Sequence, residues 1–196
     1  MLLTNLAFDR VDTGQAFLLR NKLLQDIFAD FRRAFPDLLF ELDEASATVN
    51  AQAFVLGGRR VIRMYGGLAY HAAVGADGLV FALLHEVGHH LSSGGRLAFR
   101  DELGCECAAD RWALTKGAAK LRKETERTFA IAKVLSNLDK LAGLGCCGRK
   151  ENEDGPETCW AKDWPKRQRI LARPASIPAI PRCYLTEFFT SESNYV

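Results

Sequence analysis

The sequence predicts an α+β fold in which a small β-sheet packs on a pair of helices and the C-terminal half is mostly helical. Three observations support this class. Apolar residues recur at steps of three and four along 15–35, as in an amphipathic helix. Two extended runs, 49–56 and 59–65, flank a pair of glycines, which is typical of a β-hairpin. Helical periodicity then dominates from residue 78 to residue 143.

The composition is that of one soluble domain. The chain has 196 residues, of which 48% are hydrophobic and 26% are charged, and this length can bury a sizeable core. The formal net charge of +2 argues against a nucleic-acid partner, because such proteins are usually more basic. The N-terminus turns acidic too early for a signal peptide, and no run reaches the ~20 apolar residues of a membrane span. We therefore expect a cytoplasmic protein without a membrane span.

The predicted domain covers residues 1–196, with a core over about 15–172 and an extended tail over 173–196. Pro36 should end the first helix, and Asp77 is a candidate N-cap for the helix that follows it. The other predicted elements are a strand at 38–42, a short helix at 68–74, helices at 78–92, 101–119 and 121–143, a glycine-rich loop at 143–156 and a last helix at 160–173.

The helix predicted at 78–92 contains the pattern H-E-x-x-H, formed by His85, Glu86 and His89. Residues four apart share one face of an α-helix, so the two histidines can direct their imidazoles at one point. Zn²⁺ binds neutral imidazole, and catalytic zinc sites use three protein ligands and a water. Glu86 can reach that water as a general base. His90 lies about 100° around the helix from His89, so we expect it to pack or to face solvent.

A third metal ligand is expected from the acidic residues downstream. Glu102, Glu106 and Asp110 recur at helical spacing, and two alanines between the last two would allow close approach to the motif helix. We assign Glu106 to the metal and Asp110 to a hydrogen bond with a metal-bound histidine, His85, whose tautomer it would fix. The alternative is a solvated helix face, and the upstream motif favours the ligand interpretation.

The six cysteines are Cys105, Cys107, Cys146, Cys147, Cys159 and Cys183. None forms a C-x-x-C pair, so small buried side chains are the preferred interpretation, and a spatial cluster of the last four is the alternative. Cys105 and Cys107 flank Glu106. A thiolate from either could occupy the open metal position and silence the site, although close packing by small side chains explains them more simply.

These residues resemble the gluzincin metallopeptidases of the HtpX and CAAX-prenyl-protease type, over about 48–172 and most closely over 80–114. The segment 85–89 is similar to the zinc helix of that family, and 106–110 is similar to its E-x-x-A-D ligand helix. The hairpin and the Gly67-Leu68 pair resemble the segment ahead of the zinc helix, and 163–170 resembles a later His-Pro…Arg-Ile segment only weakly. A weaker likeness exists to soluble peptidases that cleave phage-type repressors.

The resemblance implies a minimal zincin-like fold, Zn²⁺ as cofactor, peptide-bond hydrolysis, Glu86 as base and acid, and Glu106 as third ligand. It also implies that a strand within 50–65 binds an extended peptide by β-addition. Family members usually carry transmembrane helices, which are not expected here, so a membrane substrate is not implied. The later histidine of the family is absent, and the candidates for its oxyanion-stabilising role are Tyr65, Tyr70, Arg169 and Tyr184.

Two functions remain open from the sequence. The first is a zinc-dependent metalloendopeptidase with a protein or peptide substrate. The second is a metal-binding regulatory or interaction protein that keeps the peptidase fold with little or no proteolysis. The missing histidine and the small size favour the second, whereas the intact Glu86 favours the first, because a site without catalysis has no need of that carboxylate.

Overall fold

The computed structural model describes residues 14–93, 96–97, 100–143, 167–168 and 171–172. Their mixed α/β content, with a small sheet and mostly helical structure, is compatible with the predicted α+β class. The elements in chain order are α1 Gln15–Ala34, β1 Leu39–Asp43, β2 Ala51–Leu56, β3 Arg59–Tyr65, α2 Gly66–Ala69, α3 Ala76–Leu91, β4 Arg96–Leu97, β5 Arg100–Gly104, α4 Glu106–Trp112, a π-helix Ala113–Gly117, α5 Ala118–Thr125 and α6 Ile131–Gly143.

The predicted hairpin is confirmed as β2 and β3, which pair antiparallel. Gly57 and Gly58 have φ angles of 57° and 77°, and a two-residue turn with both φ positive matches the right-handed twist of the flanking strands. The predicted first strand is β1, which pairs parallel with β3. The sheet order is β1-β3-β2, so β2 is an edge strand among the described residues.

The core is centred on α3, which is apolar around most of its circumference and is therefore buried on most sides. The apolar face of α1 and one face of the sheet pack around it, and α1 ends just before Pro36, as predicted. Side chains less than 2% exposed at this centre include Ile27, Phe31, Ile62, Met64, Leu79, Leu83 and Leu84. Packing in the core thus fixes the position of α3, the helix that carries the H-E-x-x-H motif.

The short helix predicted at 68–74 is wrong in its bounds, because α2 starts at Gly66 and ends at Ala69. A Cβ on Gly66 or Gly67 would collide with the backbone of the loop after β1. The two glycines therefore allow α2 to pack closely against that loop, directly after β3 ends at Tyr65. Beyond α2 the chain turns, and the Ala73 N–H donates to Nδ1 of His71.

Asp77 does not cap α3, contrary to the prediction. Gly75 occupies that N-cap position, and Asp77 lies in the first turn of α3. Its Oδ1 instead accepts a hydrogen bond of 2.6 Å from the N–H of Ala130, just before α6. Asp77 thus satisfies a backbone donor at the start of a different helix.

The helices predicted at 101–119 and 121–143 are also corrected. Residues 100–104 form strand β5, which pairs with β4, so Glu102 lies on a strand and the helix begins only at Glu106. The second predicted helix is interrupted because Glu126 adopts a left-handed conformation with φ 63°. The interruption allows α6 to fold back against α3, and the two helices are in contact.

The loop predicted at 143–156 begins at Gly143, the last residue of α6. Its other positions and the tail predicted at 173–196 lie outside the described residues. Within the predicted last helix, positions 167, 168 and 171 are helical, and Leu171 is fully buried in the main core. None of the described helices is long and apolar enough to cross a membrane.

Candidate metal centre

The helices α3 and α4 bring the predicted site residues together, because the backbones of the two helices are in contact. A Cβ on Gly88 of α3 would lie 2.6 Å from the carbonyl oxygen of Ala109 and 2.8 Å from its Cα. Only glycine at 88 permits this approach, and the small Ala109 is fully buried opposite it. Glu106 and Asp110, both on α4, therefore face the histidines of α3.

Atoms of three candidate ligand side chains converge where the two helices meet. His85 Nε2 lies 3.0 Å from His89 Nε2 and 2.9 Å from Glu106 Oε2, and His89 Nε2 lies 3.6 Å from Glu106 Oε1. Zn²⁺ bonds of 2.0–2.2 Å in a tetrahedron would separate the ligand atoms by roughly 3.3–3.6 Å. The spacing of the three side chains is therefore close to that of a zinc site.

The tautomers of the two histidines favour a cation at the point of convergence. His89 Nδ1 lies 2.6 Å from the carbonyl oxygen of Gly104, which can only accept, so this nitrogen donates. His85 Nδ1 lies 2.8 Å from Asp110 Oδ1 and donates likewise to the carboxylate. In neutral rings both Nε2 lone pairs then face each other and the Glu106 carboxylate, an arrangement that a cation would relieve.

The predicted hydrogen bond between Asp110 and His85 is thus confirmed. The metal-ligand roles of His85, His89 and Glu106 stay predictions, and the donor set and its spacing fit Zn²⁺. Gly104, which sequence reasoning did not single out, orients His89 through its carbonyl, and it can do so because β5 runs against the end of α3.

The charged groups around the site shift one another's pKa values. Burial and Arg167 act to lower the pKa of His85, but Asp110 and Glu106 outweigh them and raise it to about 10. Burial acts to raise the pKa of Glu106, yet the histidines and Arg167 hold it well below its usual range. Asp110 behaves in the same way, with Arg167 as the largest opposing cause. Without metal, His85 is therefore protonated and lies between the ionised carboxylates of Asp110 and Glu106.

Arg167 is a neighbour of the candidate site that sequence reasoning missed. Its Nε and Nη2 donate to the two oxygens of Asp110 at 2.7 and 2.6 Å, and its Nη1 lies 4.0 Å from Glu106 Oε2. It comes 57 residues after Asp110 in the chain, in a stretch whose weak family resemblance drew attention to Arg169 instead. The only available signal was its place one helical turn before the apolar Leu171.

Glu86 stands next to the ligand atoms. One carboxylate oxygen of Glu86 and one ring nitrogen each of His85 and His89 lie within 4.8 Å of one another. Its side chain is only partly buried, because it faces an open cleft. The protein surrounding the carboxyl raises its pKa by burial, which favours proton acceptance at neutral pH.

The cleft in front of the site has a volume of about 180 Å³. One wall is residues 49–53, which include the start of edge strand β2, and the floor is α3 with Glu86. Leu103 lines the metal end together with Glu106 and Arg167. Leu138 and Leu141 of α6 also line the cleft.

The remaining predicted residues lie away from the metal centre. His90 is buried, and its Nε2–H donates to the carbonyl of Val61 at 3.0 Å, which ties α3 to the sheet. The Tyr65 hydroxyl donates to Gln52 Oε1, and the Tyr70 ring stacks on Phe17. Neither tyrosine is among the residues that line the described cleft. Arg169 and Tyr184 lie outside the described residues.

The two cysteines beside Glu106 are both buried. Cys105 precedes the first residue of α4, and Cys107 is the second residue of that helix. Their burial agrees with the interpretation of close packing by small side chains. Cys146, Cys147, Cys159 and Cys183 lie outside the described residues.

Comparison with known proteins does not assign this chain to a family. No protein-family model, curated protein or solved structure matches it. The chemistry of the site therefore rests on its own atoms, namely two oriented imidazoles, an ionised carboxylate and a second carboxylate at the edge of an open cleft.

Proposed function

We propose that this chain is a cytoplasmic, zinc-dependent metalloendopeptidase with a minimal zincin-like fold, related to the HtpX and CAAX-prenyl-protease gluzincins. One observation carries the proposal. The Nε2 atoms of His85 and His89 and the carboxylate of Glu106 converge at zinc-ligand spacing, with both Nδ1 atoms turned to acceptors. Glu86 adds a base that a purely structural metal site would not require.

His85, His89 and Glu106 would hold the zinc, which, when bound, polarises the scissile carbonyl and makes water more acidic. Glu86 accepts the proton of the attacking water and delivers it to the leaving amine. Asp110 accepts the Nδ1 proton of His85, which leaves the lone pair of Nε2 available to bind the metal. Arg167 holds Asp110 in place through two hydrogen bonds.

The substrate would bind as an extended strand along β2. This strand is the edge of the described sheet, and residues 49–53 form a wall of the cleft next to His85 and Glu86. Main-chain hydrogen bonds to an edge strand hold a peptide extended without regard to its sequence. A peptide on β2 would pass directly over the metal centre.

The test compares wild type with Glu86→Gln, using the exposed Glu124→Gln on α5 as matched control. We expect one zinc per chain in all three proteins by elemental analysis. Cleavage of casein or of a peptide library should fall about 10²- to 10⁴-fold in Glu86→Gln alone, because general-base catalysis contributes that much. Turnover that persists in Glu86→Gln would contradict the assignment. Zinc binding without cleavage by the wild type would support the regulatory alternative.

A further inference from the structure

A second depression lies beside β2, the edge strand of the described sheet. It has a volume of about 400 Å³ and is lined by Gln52, Phe54, Val55, Arg63 and Glu102. None of these side chains is buried, so solvent reaches all of them. We call this depression the Glu102 groove. The proposed hydrolysis gives it no role.

The groove continues the cleft of the candidate metal centre along the same strand. Residues 49–53 line the cleft, and residues of β2 between Gln52 and Val55 line the groove. Across from β2 lies β5, which contributes Glu102 to the groove and the next residue, Leu103, to the cleft. Both depressions are therefore bordered by the same two strands. An extended peptide paired with β2, rising about 3.3 Å per residue, would leave the cleft and pass Glu102 within a few residues.

Glu102 supplies a negative charge that the groove does not neutralise. Its carboxylate is exposed and forms no ion pair with any of the described residues. Arg63 is already engaged, because its Nε and Nη2 donate to Glu41 Oε2 at 2.9 and 2.8 Å. Its guanidinium also lies 5.1 Å from the centre of the Phe54 ring. A side chain that enters the groove would therefore meet the charge of Glu102 uncompensated.

Arg60 is the cation that could compete for Glu102. Both charges act on the imidazole of His90, where Arg60 lowers the pKa and Glu102 raises it. Within the described part of the chain, however, the two side chains form no ion pair, and Arg60 does not line the groove. The carboxylate thus stays open to a cation from outside.

We infer that the Glu102 groove selects peptides that carry a lysine or an arginine a few residues to one side of the scissile bond. This inference rests on the proposed peptidase function. A long basic side chain can lay its aliphatic stem along Phe54 or Val55 while its charged end reaches Glu102. An acidic side chain would meet a like charge. Because the groove lies at one end of the cleft, the preference should be confined to one side of the bond.

The experiment uses zinc-loaded protein and one peptide that the wild type cleaves or, failing cleavage, one that it binds. Lys, Ala or Glu is placed at each position in turn on both sides of the cleaved bond. Wild type should prefer Lys over Ala in kcat/KM by about 1.5- to 5-fold, the effect of one exposed ion pair, and only on one side. The preference should shrink between about 50 mM and about 500 mM NaCl, because salt screens exposed charges.

Charge reversal at Glu102 gives the sharper test. Glu102→Lys should invert the preference, so that the Glu peptide becomes a better substrate than the Lys peptide, and Glu102→Gln should abolish the difference. Glu124→Lys on α5 is the matched control, because it makes the same change of charge at an exposed position that lines neither depression. Its preference should equal that of wild type. Zinc content and melting temperature verify that each variant folds, and a purely structural role of Glu102 could not invert the order of the peptides.

A binding measurement separates the two proposals. The same peptides, fluorescently labelled, are titrated against zinc-loaded Glu86→Gln with and without Glu102→Lys, so that affinity is measured without turnover. Cleavage and binding that ignore the charge of the peptide would overturn the role of the groove while leaving the peptidase intact. A binding preference for Lys that inverts with Glu102→Lys, without cleavage by zinc-loaded wild type, would overturn the peptidase while supporting the groove. A preference for Lys that persists in Glu102→Lys would overturn the groove directly.

Discussion

At the scale of single residues, the candidate metal centre depends on which ring nitrogen of His85 carries the proton. Its Nδ1 lies 2.8 Å from Asp110 and 3.1 Å from Arg167 Nη2. Arg167 can only donate and ionised Asp110 can only accept, so they would select opposite tautomers of the ring. Arg167 is already committed to both oxygens of Asp110 and keeps that carboxylate ionised. The contact with Asp110 therefore prevails and leaves Nε2 to face the metal position.

Asp110→Asn tests this at the same scale. The amide removes the charge that holds the Nδ1 proton, and its NH₂ can turn towards His85 and favour the wrong tautomer. We expect zinc affinity to fall about 10- to 100-fold, as is usual when such a supporting partner is lost. Competition with a chromophoric chelator measures the affinity. The control is Asp26→Asn on α1, which removes an exposed carboxylate paired only with Lys22 in the described structure, and equal affinities in the two variants would contradict the role of Asp110.

At the scale of elements, periodicity and turn chemistry predicted what local interactions determine. The helix α1, the hairpin and the motif helix α3 were all predicted with small errors in their ends. The strand β5 and the break at Glu126 were missed, because contacts distant in sequence decide them. His89 Nδ1 donates to the carbonyl of Gly104, and the N–H of Ala130 donates to Oδ1 of Asp77, 53 positions away. Periodicity carries no information about such contacts.

The same division applies to the candidate site. His85, Glu86 and His89 were found because one helix spaces them, and Asp110 was found because it lies four residues from Glu106. Arg167 reaches the site from a part of the chain beyond α6. No local pattern links it to Asp110, so only the folded chain could reveal the pair.

Gly88→Ala tests the contact between α3 and α4. The added methyl would meet the backbone of Ala109, which cannot rotate away as a side chain can, and would push Glu106 away from the histidines. We expect a destabilisation of about 1–3 kcal/mol, typical of overpacking, together with a loss of bound zinc. Chemical denaturation and elemental analysis give the two values. Ala132→Ser, at an exposed position of α6, should change neither by much. Full zinc occupancy in Gly88→Ala would show that the contact does not position Glu106.

At the scale of the whole molecule, the candidate metal centre joins parts of the chain that are far apart in sequence. The cleft draws on the hairpin, α3, α4, α6 and Arg167. A metal held at their junction binds only the folded chain, so it should stabilise the entire domain by mass action. Stability and metal loading are therefore linked, and protons enter the same linkage through His85.

The pH dependence of that stabilisation follows from the pKa shifts. In metal-free protein the raised pKa of His85, from 6.5 to about 10, contributes stability that is fully present below pH 6.5 and is lost as the pH rises through 10. The lowered pKa values of Glu106 and Asp110 contribute stability above their ordinary values of 4.5 and 3.8 that is lost as the pH falls. The combined contribution of these three groups to the stability of metal-free protein should therefore be largest between about pH 4.5 and 6.5.

Zinc must displace the proton on His85, so its apparent affinity for the folded chain should rise with pH up to about 10, the pKa of that imidazole. The gap in melting temperature between zinc-loaded and chelator-treated protein should consequently widen from pH 6.5 to 8.5. Thermal denaturation at fixed zinc concentration measures the gap at each pH. Glu124→Gln should reproduce the wild-type trend, because that carboxyl is exposed on α5. A gap that stays constant across this range would mean that no proton leaves when zinc binds, which would contradict a protonated, metal-displaced His85 in this pH range.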